Sequence, residues 1–208
     1  MSVWSRRMEL SAAVGKRRMV RNFTGRALPE GVLDHILALA CRAPAAGNTA
    51  GWDAVVLEGP EETAAFWDAT TSPDWRSTSK RWPGLSRAAA VVALFVSSDA
   101  YLARYAEPDK ARSDLDTGVD AWPVPYWFVD GGFAALLMLL AAVDHGLGAC
   151  FLGNFRGEAE LRRRLGVPEG RRYLGAVLLG EPDQADAPSR SAARGPRRVE
   201  QVVHRGHW

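Results

Sequence analysis

The sequence predicts a layered fold of helices and strands, α/β or α+β. Three observations carry that expectation. Ala88 to Val96 is an unbroken apolar run of strand length, the pattern of a strand covered on both faces. Trp52 to Glu58 and Tyr173 to Leu179 are further β-rich stretches, closed by the turn signals Gly59-Pro60 and Gly180-Glu181-Pro182. Elsewhere the apolar residues recur at helical spacing, and the helix from Phe133 to Val143 has almost no polar face. Such a helix belongs at the centre of a core or in a subunit interface, so an oligomer is expected.

The elements follow in order. Met8 to Val20 reads as a short helix that delivers Lys16, Arg17 and Arg18 at or just past its last turn. After Pro29, the residues Val32, Leu33, Ile36, Leu37, Ala40 and Cys41 keep helical spacing until Ala43-Pro44 stops them. Residues 43–51 are small or turn-forming, which lets backbone approach something flat. Glu61 and Glu62 open a helix at its positive end. Thr70 to Ser86, with Pro73, Trp75, Trp82 and Pro83, reads as irregular, and Ser98 to Ala106 as helical. The polar, turn-rich stretch onward to Pro125 suits a lid or excursion, placed around residues 99–125. Asp130 is expected to cap the apolar helix, and Gly146 to end it. A glycine-flanked strand over Leu147 to Phe155, a Glu- and Arg-rich helix up to Gly166, a polar excursion over Asp183 to Gly195 and a short terminal strand over Val199 to His204 complete the chain.

One domain is expected for the 208 residues. With 26 basic and 24 acidic residues, the balance makes no case for nucleic acid. Cys41 and Cys150 fit a reducing compartment, and Phe133 to Val143 is too short an apolar run to cross a bilayer. A soluble, cytoplasmic protein without a membrane partner is the expectation. His35, His145, His204 and His207 have no metal-ligand spacing, and no nucleophile and base pair or triphosphate-binding loop is present. What remains is backbone-exposing loops, aromatics and two arginine clusters, Arg17-Arg18-Met19-Val20-Arg21-Asn22-Phe23 and Arg194-Gly195-Pro196-Arg197-Arg198. Arginine presents a planar charged fork that matches phosphate oxygens two at a time. Such an inventory suits a cofactor that carries its own reactivity.

The first arginine cluster is followed by Ala43-Pro44-Ala45-Ala46-Gly47-Asn48 with Trp52, Gly146-Leu147-Gly148-Ala149-Cys150-Phe151-Leu152-Gly153, Leu165-Gly166-Val167-Pro168 and Leu178-Leu179-Gly180-Glu181-Pro182. In this order and spacing, from about Met8 to Trp208, the chain resembles the nitroreductase family. The resemblance implies an α+β homodimer with a central, mainly antiparallel sheet flanked by helices, extended by a C-terminal strand swapped from the partner. It also implies FMN at the subunit interface and NAD(P)H as electron donor.

By position, the resemblance gives Arg17, Arg18, Met19 and Arg21 to the phosphate and ribityl end, with Arg194 and Arg197 completing that site. Pro44, Ala45, Ala46 and Asn48 would lie along the flavin of the other subunit, while Leu152, Gly153 and Asn154 would face N5 and O4. A donor at N5 and positive charge toward N1 and O2 stabilise the reduced flavin without a catalytic side chain. Met19 stands where the family usually has serine, and Ala50-Gly51 where Gln-Pro commonly precedes the tryptophan, which would leave more room near the flavin. Trp67, Trp75, Trp82, Trp122, Tyr126 and Trp127 fall in or near the substrate-side wall of relatives, with Trp122 and Tyr126 as the preferred substrate residues. The implied reaction is ping-pong reduction of a small electron-poor nitroaromatic, quinone or enone. The alternatives are a flavin-dependent dehydrogenase or oxidase of natural-product tailoring, a deazaflavin-linked reductase, and a non-catalytic flavin- or nucleotide-binding protein.

Overall fold

The computed structural model describes residues 8–154 and 156–208. Its fold is α+β, built on a four-stranded antiparallel sheet in the order β1-β2-β4-β3. The strands are β1 (Trp52–Glu58), β2 (Ala90–Val96), β3 (Gly148–Leu152) and β4 (Arg172–Gly180). All seven residues of β2 are buried, as its unbroken apolar run requires of a central strand. Successive side chains alternate between faces. Ala90, Val92 and Leu94 pack with α2 (Val32–Ala40) and α6 (Tyr126–Asp144) on one face. On the other face Val91 meets Phe66 and Trp67 of α3 (Gly59–Thr70) and Leu161 of α7 (Glu158–Arg164).

The remaining helices are α1 (Leu10–Lys16), α4 (Pro73–Thr78) and α5 (Ser98–Tyr105). The first stops at Lys16, shorter than the sequence suggests, because residues 17–24 run extended beside β3 and the end of β4. α4 lies inside a stretch that reads as irregular: Ser72 caps it by accepting from the Trp75 amide at 3.2 Å, and Pro73 follows at the first helical position. Trp122 and Tyr101, both inside the segment that reads as a lid, join Val96 and Trp127 in a separate buried cluster.

Two expectations are corrected. Asp130 does not cap α6, because the helix starts four residues earlier, just after Pro125; the carboxylate sits within the helix and is 2% exposed. Residues 199–204 form no strand, since Val199–Gln201 is a 3-10 turn and every residue from Ser191 to Trp208 is exposed. A strand needs a neighbouring edge to satisfy its backbone, and this tail meets none among the described residues of its own chain. Phe155, placed at the end of the β3 stretch, lies outside the described residues.

At 19 residues and mean hydropathy 1.8, α6 has the length and composition to cross a membrane, but half of it is buried within the protein. Its exposed side carries Phe133 and Leu136, and α1, packed against it, exposes Leu10 and Val14. His145, at the end of α6, meets His35 of α2 edge-to-face, with ring centroids 5.1 Å apart. Burial, and then the neighbouring His35, lower its pKa below the ordinary 6.5. Because the folded value is depressed, the stability it confers is present above 6.5 and is lost as pH falls through the folded value. The melting temperature is therefore expected to drop between pH 7 and pH 5, with a smaller drop in His145→Gln, as followed by circular dichroism.

Candidate functional site

The arginine cluster is divided by its own backbone. Val20 donates to the Ala149 carbonyl at 2.9 Å and Thr24 to the Glu181 carbonyl at 3.0 Å, which holds the segment between β3 and the end of β4. Val20 and Asn22 turn inward and are buried. The Asn22 side-chain oxygen accepts from the Gly84 amide at 2.9 Å. Alternation along the extended chain places Arg17, Met19 and Arg21, all half-buried, on the opposite side.

Arg18 goes to Asp186 instead. The Asp186 side chain has no exposure; its Oδ2 pairs with the Arg18 guanidinium, while Oδ1 accepts from the Arg21 and Asn22 amides, both at 2.9 Å. A carboxylate with one guanidinium and two backbone amides as donors is well satisfied. Arg18 is thus committed to an internal anion, whereas among the described residues no carboxylate pairs with Arg17 or Arg21. Arg21 holds its guanidinium 5.3 Å from the centre of the Trp82 ring. Met19 has its own use: its sulfur lies 3.4 Å from the Phe151 amide, which it takes as donor, where the strand needs an acceptor.

Beyond Phe151, β3 ends at the wall of a cavity of about 700 Å³ lined by Trp67, Trp75, Trp82, Leu152, Gly153 and Asn154 among others. A side chain at Gly153 would meet nothing within 4 Å, so its backbone is open to an approaching group. Asn154 accepts from the Tyr173 hydroxyl at 3.2 Å, yet its Nδ2 is buried without a partner among the described residues, as is the Trp67 indole Nε1. Two unmet buried donors among indole rings are costly unless a ligand supplies acceptors. Burial, and then Glu158, push the Tyr173 pKa far up, so its hydroxyl keeps its proton. Burial also raises the Cys150 thiol, so this thiol is not poised as a nucleophile.

The loop over Pro44, Ala45, Ala46 and Asn48 does not line this cavity. It is held by α5 and α6: the Ala46 amide donates to Asp130 at 2.7 Å, and Arg104 donates from Nε to the Gly47 carbonyl at 2.9 Å. Gly47 and Asn48 both have positive φ, the left-handed backbone of a tight turn here. Gly51 packs on the Tyr101 ring, whose Cε2 would lie 2.0 Å from an added Cβ. The missing side chain there makes room for Tyr101 rather than for a ligand.

Arg194 and Arg197 lie in the exposed tail; Arg197 donates to the Gln201 carbonyl at 2.6 Å, and the hydrogen bonds of this tail run within it. One chain therefore does not bring its two arginine clusters together. Trp122 is 7% exposed, its indole N–H taken by the Leu115 carbonyl at 2.8 Å, while Tyr126 beside it is 39% exposed. Asp130 and Asp186 are the partners that sequence reasoning misses. An acid inside a helix apolar nearly all round is the signal for the first; nothing in the polar stretch around Asp186 marks the second.

The family model described as the nitroreductase family matches residues 14–181. An Archaeoglobus fulgidus protein, named provisionally as an NADH dehydrogenase/NAD(P)H nitroreductase, is 28% identical over 196 residues, 92% of this chain and 94% of its own. Two solved structures share the fold. A Streptococcus mutans nitroreductase-like protein superposes with a TM-score of 0.73 at 18% identity, over 93% of this chain and 96% of its own. An Exiguobacterium sibiricum protein in complex with FMN superposes with a TM-score of 0.68 at 18% identity, over 95% and 97%. With the family's sequence pattern matched over most of its length and its fold reproduced around the same sheet, this chain belongs to the nitroreductase family.

Proposed function

We propose that the chain is an FMN-dependent oxidoreductase that reduces a small electron-poor acceptor, such as a nitroaromatic, quinone or enone, at the expense of NAD(P)H. The observation that carries this reading is the cavity at the end of β3, where the buried Asn154 and Trp67 donors lack acceptors among the described residues and Arg21 stands beside Trp82. A flat ring with carbonyl acceptors and an anionic tail answers all three demands. The FMN complex of the Exiguobacterium sibiricum structure and the NAD(P)H in the name of the Archaeoglobus fulgidus relative support the choice of partners.

On this reading Arg17 and Arg21 hold the phosphate and ribityl end, with Met19 beside them, and Leu152, Gly153 and Asn154 hold the N5 and O4 edge. Held there, FMN would supply hydride transfer between the nicotinamide and the acceptor, in the two half-reactions of a ping-pong cycle. The chain's own groups supply position and field: backbone donors at the β3 end favour negative charge developing at the N5 edge, while the arginines anchor the phosphate. Tyr126 is the proposed substrate contact, with the buried Trp122 supporting it from behind.

The proposed assembly is a homodimer in the cytoplasm. The apolar faces of α1 and α6 and the tail residues Val199, Val202, Val203 and Trp208 are exposed in one chain. Such surfaces are characteristic of obligate interfaces. The loop at Pro44 to Asn48 and the arginines Arg194 and Arg197 would then complete the partner's site.

The visible spectrum of the purified protein mixed with FMN tests the cofactor, and anaerobic addition of NADH, NADPH or a reduced deazaflavin tests the donor. Two flavin bands that bleach with a nicotinamide are expected. A protein that leaves added FMN unbound sinks the flavin reading, and bleaching by the deazaflavin alone sinks the nicotinamide.

A further inference from the structure

Asp130 is a buried acid in the second turn of α6, and both of its observed bonds end on one oxygen. Its Oδ2 accepts from the Tyr101 hydroxyl at 2.6 Å and from the Ala46 amide at 2.7 Å. Tyr101 has no exposure, and burial, followed by the bond to Asp130, drives its pKa far above the ordinary value, so this hydroxyl is a fixed donor. The Tyr101 ring in turn fills the space above Gly51, which is the far end of the same loop.

The near end is tied from α5. Arg104 binds the Gly47 carbonyl through Nε, and its other nitrogens fork onto Asp109 at 2.7 and 2.8 Å. A Cβ on Gly47 would come 2.9 Å from the Tyr105 ring, so Tyr105 lies directly against it. Trp122 stacks edge-on against both tyrosines. The loop from Ala45 to Asn48 is therefore short, in a turn conformation with two positive φ values, and anchored at an amide, a carbonyl and a glycine face.

We propose that Asp130 is a positioning residue: through Tyr101 and the Ala46 amide it fixes the backbone of the Ala45 to Asn48 loop in the shape that receives the flavin of the partner subunit. This rests on the flavin reading above. The carboxylate is buried, and the groups it binds belong to the protein itself. Its effect travels through the Ala46 amide and the Tyr101 hydroxyl, and small displacements of a positioning element cost as much as about 100-fold in turnover.

The test compares Asp130→Ala, Asp130→Asn and Tyr101→Phe with wild type in two measurements. The first is hydrogen exchange of the Ala46 to Asn48 amides, which needs no cofactor. The second is titration with FMN and with riboflavin. The carboxamide introduced by Asp130→Asn keeps an oxygen able to accept both bonds, so D130N should stay near wild type. In D130A the Ala46 amide should lose protection, and both flavins should bind about 10-fold more weakly or worse, because the loop would face the ring rather than the phosphate. Y101F should fall between. Unchanged loop exchange in a folded D130A overturns the proposal, as does equal damage in D130N. If D130A does not fold, Y101F decides: wild-type exchange and wild-type flavin affinity overturn the positioning role. If wild type binds neither flavin, the flavin reading fails, while the exchange result still reports whether Asp130 fixes the loop.

Discussion

Arg17→Ala is expected to weaken FMN by about 1.5–3 kcal/mol, roughly 10- to 150-fold, the range for a charge-assisted hydrogen bond. Riboflavin, which lacks the phosphate, should bind the variant almost as it binds wild type. Arg18→Ala should behave differently. Its guanidinium is paired with Asp186 rather than turned to the side of Arg17 and Arg21, so the expected loss is about 0.5–1 kcal/mol of stability, discounted because Arg18 is 45% exposed. Fluorescence titration with both flavins, beside thermal melts, separates the two arginines. Equal losses of FMN affinity in both variants would show that the extended backbone does not sort them.

Gly51→Ala is the second large effect. The added Cβ would stand 2.0 Å from Cε2 of Tyr101, which is itself fully buried and bonded to Asp130. Neither side has slack. Overpacking of this kind costs about 1–3 kcal/mol, which for a chain of this size lowers the melting temperature by roughly 2–12 °C. A double-mutant cycle with Tyr101→Ala provides the control, because the alanine should be far better tolerated once the ring is gone. Additive losses would mean that the strain lies elsewhere.

The layers of the fold were legible because each signal was local. An uninterrupted apolar run makes a central strand wherever it occurs, and β2 is buried throughout; Trp52 to Glu58 is a strand over the same residues. The failures share a cause. Val199 to His204 has the composition of a short strand, but a strand exists only against a neighbour, and the described residues of the chain offer none. Asp130 matches the composition of a cap; its actual role depends on Ala46, 84 residues away, which no window can see. The candidate site was legible in its pieces and not in their grouping. Met19 looked like a missing hydroxyl, whereas its sulfur serves the Phe151 amide, and Arg18 looked equivalent to Arg17 until Asp186 appeared.

The segment from Arg18 to Thr24 obtains most of its shape from partners that are synthesised very late. Met19 bridges to Ala149, Thr24 bonds Glu181, and Asp186 holds Arg18, Arg21 and Asn22 across as many as 168 residues. On a ribosome, the arginine motif therefore emerges before these partners and, apart from the bonds of Asn22 and Phe23 to Gly84, waits for them until most of the chain has followed. Closing such long loops is slow, and it leaves the apolar residues Val20 and Phe23 uncovered meanwhile. Translation that stops before Asp186 would yield a chain carrying every letter of the motif but lacking the carboxylate that holds Arg18 and the Arg21 and Asn22 amides.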